Sequence, residues 1–351
     1  MKTRIILLLF LSISFYSFSY YNQTATTDTI IIGEQAAMEA EKLYNEGIAL
    51  FHENDYSKAM QKFNESIFIR SDFDLAFYNR GLAKYKTEDF SGAIEDFNKT
   101  LSINPGKAVA FYSRGRANHK SGNLDQALAD YRQAIEADQN LYLAYYFKGK
   151  LHFVAEEYEK AVSSFNEVLN IRADYAYAYH DRGSAKIKTG DISGGLADYQ
   201  QAVLLDPTMY FTYNEIGNIL KQQQKYEEAL GYYNSAIRIN DSREYLYSNK
   251  AMAMFRLNRY EEALEDFNKA LELNPQYHIA YNGRGNVKYQ LNNFEEAVDD
   301  YNKAIELKPE YGEAYYNRAI AFEMLRKPDN TKNDFKKAAE LGVTDALQYI
   351  D

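Results

Sequence analysis

The feature that most constrains this chain is a period of 34 residues. Residues 281–308 read YNGRGNVKYQLNNFEEAVDDYNKAIELK, and residues 247–274 read YSNKAMAMFRLNRYEEALEDFNKALELN. The same register runs from about residue 40 to residue 345 without insertion or deletion, with units beginning near 40, 74, 108, 142, 176, 210, 244, 278 and 312. A fixed period in this range means one small supersecondary unit stacked on copies of itself, because a single unit cannot bury its apolar face alone. That explains how 351 residues can form one array where chain length alone suggests two or three domains.

Four positions define the unit. The fourth holds a large residue: Leu43, Phe77, Phe111, Tyr145, Tyr179, Tyr213, Tyr247, Tyr281 and Tyr315. The eighth is small: Gly47, Gly81, Gly115, Gly149, Gly183, Gly217, Ala251, Gly285 and Ala319. The twentieth is Ala, except for Gly195 and Thr331, and the twenty-fourth is always Phe or Tyr. Pro closes the unit at Pro105, Pro207, Pro275 and Pro309. Apolar residues at helical spacing on both sides of a short polar turn, such as Ser121-Gly122-Asn123, give two helices per unit. In the eighth unit they are expected at about 278–290 and 294–307. The small residues let the two helices approach, and the aromatics fill the space around the contact.

This pattern resembles the tetratricopeptide repeat family, with Tyr or Phe where that family often has Trp. The resemblance implies an all-α, right-handed α-solenoid over residues 34–345, made of about nine helix-turn-helix repeats. A truncated capping helix is expected at 346–351. It also implies that the first helices of the repeats line a concave groove that holds extended or helical peptides.

One pair of positions varies together. The seventh is Arg80, Arg114, Lys148, Arg182, Lys250, Arg284 and Arg318, and the twenty-third is Asp96, Asp130, Asp198, Asp266, Asp300 and Asp334. The first unit exchanges the charges (Glu46, Lys62), the sixth loses both (Ile216, Tyr232), and only Lys148 with Ser164 breaks the rule. These positions are therefore expected to touch. The ninth unit is expected to fray, since Pro328 interrupts the helix connection and Thr331 replaces the small residue.

Residues 1–19 have the form of a secretory signal peptide: Lys2 and Arg4, an apolar run over 5–18, and Ser17-Phe18-Ser19 ahead of a cleavage expected near Tyr20. The apolar run is short for a membrane span; contact with a membrane is expected only if the segment stays uncleaved. Residues 20–33 read as a flexible leader, and the chain is expected to be exported, to a periplasm or cell envelope, or secreted.

The composition narrows the function. The formal charge of −10 becomes −12 without Lys2 and Arg4, which argues against nucleic acid as a partner. There is no cysteine, so neither disulfides nor thiolate metal sites are available. No phosphate-binding loop, nucleophile elbow, zinc-protease or calcium-loop motif occurs. The five His lie too far apart along the array for a metal site. No enzyme activity, cofactor or metal is expected.

The groove is where function is sought. Positions two, five, nine, twelve and thirteen are expected to face it, which gives Tyr78, Tyr112, Arg116, Tyr146, Lys150, His180, Asn214, Asn218, Asn282 and Asn286 as the candidate peptide-binding residues. Tyr, Arg and Asn offer contact area and directional hydrogen bonds. The basic residues over these positions are Lys86, Arg116, Lys120, Lys150, Lys188, Lys221 and Arg256, with acids only in the end units. Lys86, Lys120, Lys188 and Arg256 equally serve the negative ends of their helices, so Arg116 and Lys150 carry the argument for an acidic ligand. The function expected is a non-enzymatic scaffold that binds a protein or peptide segment. The alternatives are a self-associating organiser of envelope assembly and a protein that holds glycans in the same groove.

Overall fold

A computed structural model describes residues 33–350. The chain forms two compact units, residues up to 171 and residues from 172. Signal segment and most of the leader lie outside the described residues. In the first unit, α1 covers residues 33–52. It is followed by α2 (Tyr56–Ile69), α3 (Asp74–Lys86), α4 (Phe90–Ile103), α5 (Ala108–Lys120), α6 (Leu124–Ala137), α7 (Tyr142–Val154) and α8 (Tyr158–Ile171). The second unit has α9 (Ala176–Lys188), α10 (Ile192–Leu205), α11 (Tyr210–Gln222), α12 (Tyr226–Ile239), α13 (Glu244–Arg256), α14 (Tyr260–Leu273), α15 (His278–Gln290), α16 (Phe294–Leu307), α17 (Gly312–Met324) and α18 (Pro328–Glu340). The chain is all-α, each repeat is a helix-turn-helix pair, and no strand occurs among the described residues.

The turn inside each pair has one geometry. Its middle residue takes a left-handed backbone throughout: Asn54, Glu88, Gly122, Glu156, Gly190, Gln224, Asn258, Asn292 and Arg326, with φ between 57° and 91°. Gly122 and Gly190 adopt it freely; the others carry a Cβ at a cost on the order of 1 kcal/mol each, accepted because the packing of the pair fixes the turn. Asp55, Asp89 and Asp191 then cap the second helix, each accepting from the backbone N–H three residues on.

The small position eight meets the aromatic position twenty-four. A Cβ on Gly81 would stand 2.8 Å from the Phe97 ring, and one on Gly285 2.6 Å from the Tyr301 ring. Phe63, Phe97, Tyr131, Phe165, Tyr233, Phe267 and Tyr301 are fully buried there, each contributing about 2 kcal/mol by burial.

Positions seven and twenty-three touch, as the paired variation implies. Arg80 Nε donates to Asp96 at 2.9 Å, Arg182 Nε to Asp198 at 2.8 Å, Arg284 Nε to Asp300 at 2.9 Å and Arg318 Nε to Asp334 at 2.7 Å, each pair also joined through NH2. Arg114 with Asp130 and Lys250 with Asp266 follow the same rule, and the exchanged pair Lys62–Glu46 lies at 2.9 Å. The arginine does more than the sequence reading assigned to it. Its remaining NH1 reaches back to the preceding repeat: Arg80 to Asn64 at 2.6 Å, Arg114 to Asn98, Arg284 to Asn268 and Arg318 to Asn302, each at 2.7 Å. One planar fork thus joins the two helices of a repeat and fastens them to their neighbour, which a lysine cannot do.

One expectation needs correction. The ninth repeat does not fray. Pro328 stands at the first residues of α18, where its missing N–H costs nothing, and α17 and α18 keep the Arg318–Asp334 pair. After them comes a short helix of 3-10 form, Thr344–Tyr349. Tyr349 lies flat on Phe335, with ring centroids 4.3 Å apart at 12°.

Candidate functional site

Within each unit the first helices of successive repeats approach one another: α3 with α5 and α5 with α7, then α11 with α13, α13 with α15 and α15 with α17. Neighbouring second helices make no comparable contact. The first helices therefore form the inward face of each unit.

Position five falls mostly in the joint between consecutive repeats, where its polar atoms are used by the fold. Tyr112, Tyr146, Asn214 and Asn282 are buried. The Tyr78 hydroxyl shares a hydrogen bond with Ser113 at 3.1 Å. The sixth residue of the next repeat is the regular partner: Asn79 donates to the Tyr44 hydroxyl, Asn249 to Asn214 and Asn317 to Asn282, each at 3.0 Å. His180 stacks on Tyr199 and hydrogen-bonds Thr212 at 2.9 Å.

Position nine is matched to position twenty-four of its own repeat, a relationship that sequence reasoning missed. The Tyr233 hydroxyl donates to Asn218 and the Tyr301 hydroxyl to Asn286, both at 2.9 Å, and Ser184 shares a hydrogen bond with the Tyr199 hydroxyl at 2.9 Å. Where position twenty-four is Phe63, Phe97, Phe267 or Phe335, position nine is Ile48, Leu82, Met252 or Ile320. The signal was present in the column of residues: except for Lys150 with Phe165, a hydroxyl appears where a polar partner does. Asn218 and Asn286 therefore support buried tyrosines in addition to facing inward.

Arg116 departs from that rule. It is half-buried, its guanidinium carbon lying 4.8 Å from the Tyr85 ring centre, 5.4 Å from Phe147 and 5.8 Å from Tyr112. One N–H donates to the Tyr85 hydroxyl at 3.1 Å. Below it the Tyr131 hydroxyl is buried and accepts or donates no hydrogen bond. In the next repeat, the Lys150 ammonium lies 5.6 Å from the Tyr146 ring. Neither Arg116 nor Lys150 has a carboxylate within ion-pair distance among the described residues. Burial, then the neighbouring charges of Lys120 and Lys150, holds the His119 imidazole below its ordinary pKa, so this stretch already resists further positive charge.

The second unit offers a different surface. A cavity of about 210 Å³ lies over repeats seven to nine, lined by Phe255, Asn286, Tyr289, Gln290, Asn317 and Ile320. A larger one, about 570 Å³, lies at the end of α17 and α18, lined by Glu323, Arg326, Lys327, Thr331, Phe335 and Tyr349. Lys221 is half-buried and burial lowers its ammonium pKa, which sets it apart from simple groove cations. Among the described residues no cluster of three or more His, Asp or Glu side chains is placed to hold a metal ion. No described helix is long and apolar enough to cross a membrane.

Helix pairs stacked on one another within each unit define a helical-repeat protein. Family comparison gives the kind of repeat. Models described as TPR repeat or tetratricopeptide repeat match residues 78–141 and 112–177, 176–209 and 212–243, and 252–291 and 285–325. The chain is built of tetratricopeptide repeats. Among solved structures it resembles the APC/C hetero-tetramer Cut9–Hcn1, with 13% identity, 89% of this chain and 76% of that one covered, and a TM-score of 0.55. It also resembles a tetratricopeptide repeat protein from Parabacteroides merdae, with 19% identity, 72% and 96% covered, and a TM-score of 0.51. YrrB, described as a TPR protein with an unusual peptide-binding site, shares 24% identity over 53% of this chain and 96% of its own, with a TM-score of 0.47. No curated protein sequence matches the chain.

Proposed function

We propose that this chain is a non-enzymatic interaction scaffold that binds an acidic protein segment against its first-helix face, in an exported compartment. One observation carries the reading of the ligand. The arginines of position seven are tied to aspartates, yet Arg116 and Lys150, on the inward helices α5 and α7, have aromatic rings beside them and no acid. Two cations left without counter-charge on one face, on a chain whose net charge is negative, favour an anionic partner. The surrounding Tyr and Phe rings supply contact area that costs little ordering entropy.

The test is binding of a fluorescently labelled hexaglutamate peptide to the full chain and to Arg116→Glu with Lys150→Glu, at low and moderate salt. The double substitution is expected to abolish binding and its salt dependence. Equal affinity in both proteins would end the electrostatic reading. Export rests on residues 1–19. N-terminal sequencing of the protein recovered from its source should give a chain beginning near Tyr20, and an intact Met1 would refute cleavage.

A further inference from the structure

Every other buried tyrosine at position twenty-four hands its hydroxyl to position nine of the same repeat. Tyr131 is the exception: its ring is fully buried and its oxygen has no partner. The residue at position nine there is Arg116, which can only donate. Arg116 makes one hydrogen bond, to Tyr85, and its other N–H groups face rings. A guanidinium attracted to a ring face gains from the ring's negative face without using those donors. The Tyr131 hydroxyl belongs to the same cluster, with Tyr112, Arg116, Tyr85 and Asp130 as its electrostatic neighbours; the Asp130 carboxylate is already held by Arg114 and Asn118. Burial raises its pKa far above the ordinary phenol value, so it remains a proton donor throughout the physiological range. A cation whose one hydrogen-bond acceptor is the Tyr85 hydroxyl and a buried hydroxyl without a partner therefore share one cluster in the first unit, with no carboxylate within ion-pair distance of the cation.

We propose that Arg116 and Tyr131 form a carboxylate-binding site on the inward face of repeats two to four, taking an aspartate or glutamate side chain of the bound segment. The carboxylate accepts from the guanidinium in the two-pronged geometry that suits a planar fork, and its second lone pairs accept from the Tyr131 hydroxyl as Arg116 turns from Tyr85. Phe147 and Tyr112 exclude water around the pair. This deepens the proposed function and rests on it: it names which residue of the acidic segment is read and by which atoms.

Tyr131→Phe tests it, since the substitution deletes one oxygen that the folded chain does not use. Labelled hexaglutamate and hexaglutamine peptides are titrated into the full chain, and melting temperatures are measured in parallel. The expected result is about tenfold weaker hexaglutamate binding, unchanged hexaglutamine binding, and a melting temperature equal to or above that of the unsubstituted chain. If Tyr131→Phe binds hexaglutamate undiminished while Arg116→Glu with Lys150→Glu does not, the phenol plays no part; this inference is overturned and the proposed function stands. If the unsubstituted chain prefers neither peptide, both fall. A fall of several degrees in melting temperature would also overturn the inference, because it would show that the hydroxyl already has a partner within the fold.

Discussion

The hydroxyl of Tyr301 donates to Asn286 Oδ1 at 2.9 Å, fifteen residues back along the chain and on the facing helix of the same repeat. Tyr301 is 1% exposed, so its hydroxyl relies on this bond. Burial also pushes the phenol pKa upward. The pairing makes position nine a support for the core as well as part of the inward face.

Asn286→Leu is therefore expected to destabilise the chain by about 2 kcal/mol, the cost of leaving a buried hydroxyl unpaired. Adding Tyr301→Phe should restore most of the loss, because Leu82 with Phe97 is the same arrangement in the second repeat. Denaturant unfolding of the two single variants and the double variant measures the coupling. Strictly additive effects would show that the pair does not interact.

A second compensation lies one repeat earlier. Ala251 stands where most repeats have glycine, and it is fully buried against the core that holds Phe267. The ring of Phe267 in turn presses on Gly283, where an added Cβ would lie 2.5 Å from its Cε1 atom. Position six is Asn in four of the other repeats, as at Asn249 and Asn317. Gly283→Asn is expected to cost about 1–3 kcal/mol by overpacking, and Ala251→Gly should recover part of that cost by letting Phe267 settle back. Thermal melting of the single and double variants decides it; a harmless Gly283→Asn would refute the compensation.

Lys250 occupies the position of the forked arginines, and its ammonium cannot serve Asp266 and the preceding repeat together. Asp266 Oδ2 accepts no hydrogen bond, although the ammonium stands 3.0 Å from it and bonds Oδ1. Burial holds the Asp266 carboxyl above its usual range, with Lys250 pulling the other way. A carboxyl raised in the folded state binds its proton more tightly folded than unfolded. Its unfavourable contribution is absent below the ordinary carboxylate range and fully present above the raised value. Lys250→Arg should bring the fork to Asp266 and Asn234, adding about 1 kcal/mol at pH 7 and less at pH 4. Stability of both proteins across that range tests the sign; an equal difference at both pH values would contradict it.

Much of this architecture could be read from the sequence because the chain repeats itself. The small and aromatic positions gave the helix pairs, and the paired variation of Arg80 with Asp96, and of its counterparts, gave a contact. Other features were harder to see. Each first helix buries one side against its partner and another against the next repeat, so a single helical stripe cannot separate a joint from a groove. Tyr112, Tyr146, Asn214 and Asn282 are the residues that this ambiguity hid: all four are buried. The asparagines at 64, 98, 268 and 302 looked like ordinary exposed polar residues until the arginines reached back to them. The Pro328 expectation failed because proline is tolerated at the start of a helix, and a shift of one or two residues in the expected boundary turns a breaker into a first residue.

The arginine fork also has a consequence at the fourth repeat, where a lysine replaces it and no aspartate faces it. Lys148 faces Ser164, whose hydroxyl is spent on the Lys160 carbonyl, and the residue behind it is Arg132 in place of asparagine. The seam between the third and fourth repeats thus lacks its rivet and sets two cations against each other. An array fastened only from neighbour to neighbour parts first at its loosest seam. Arg116 lies on one side of that seam and Phe147 on the other, so under the proposed function a bound segment would act there as a splint across the weakest joint of the first unit.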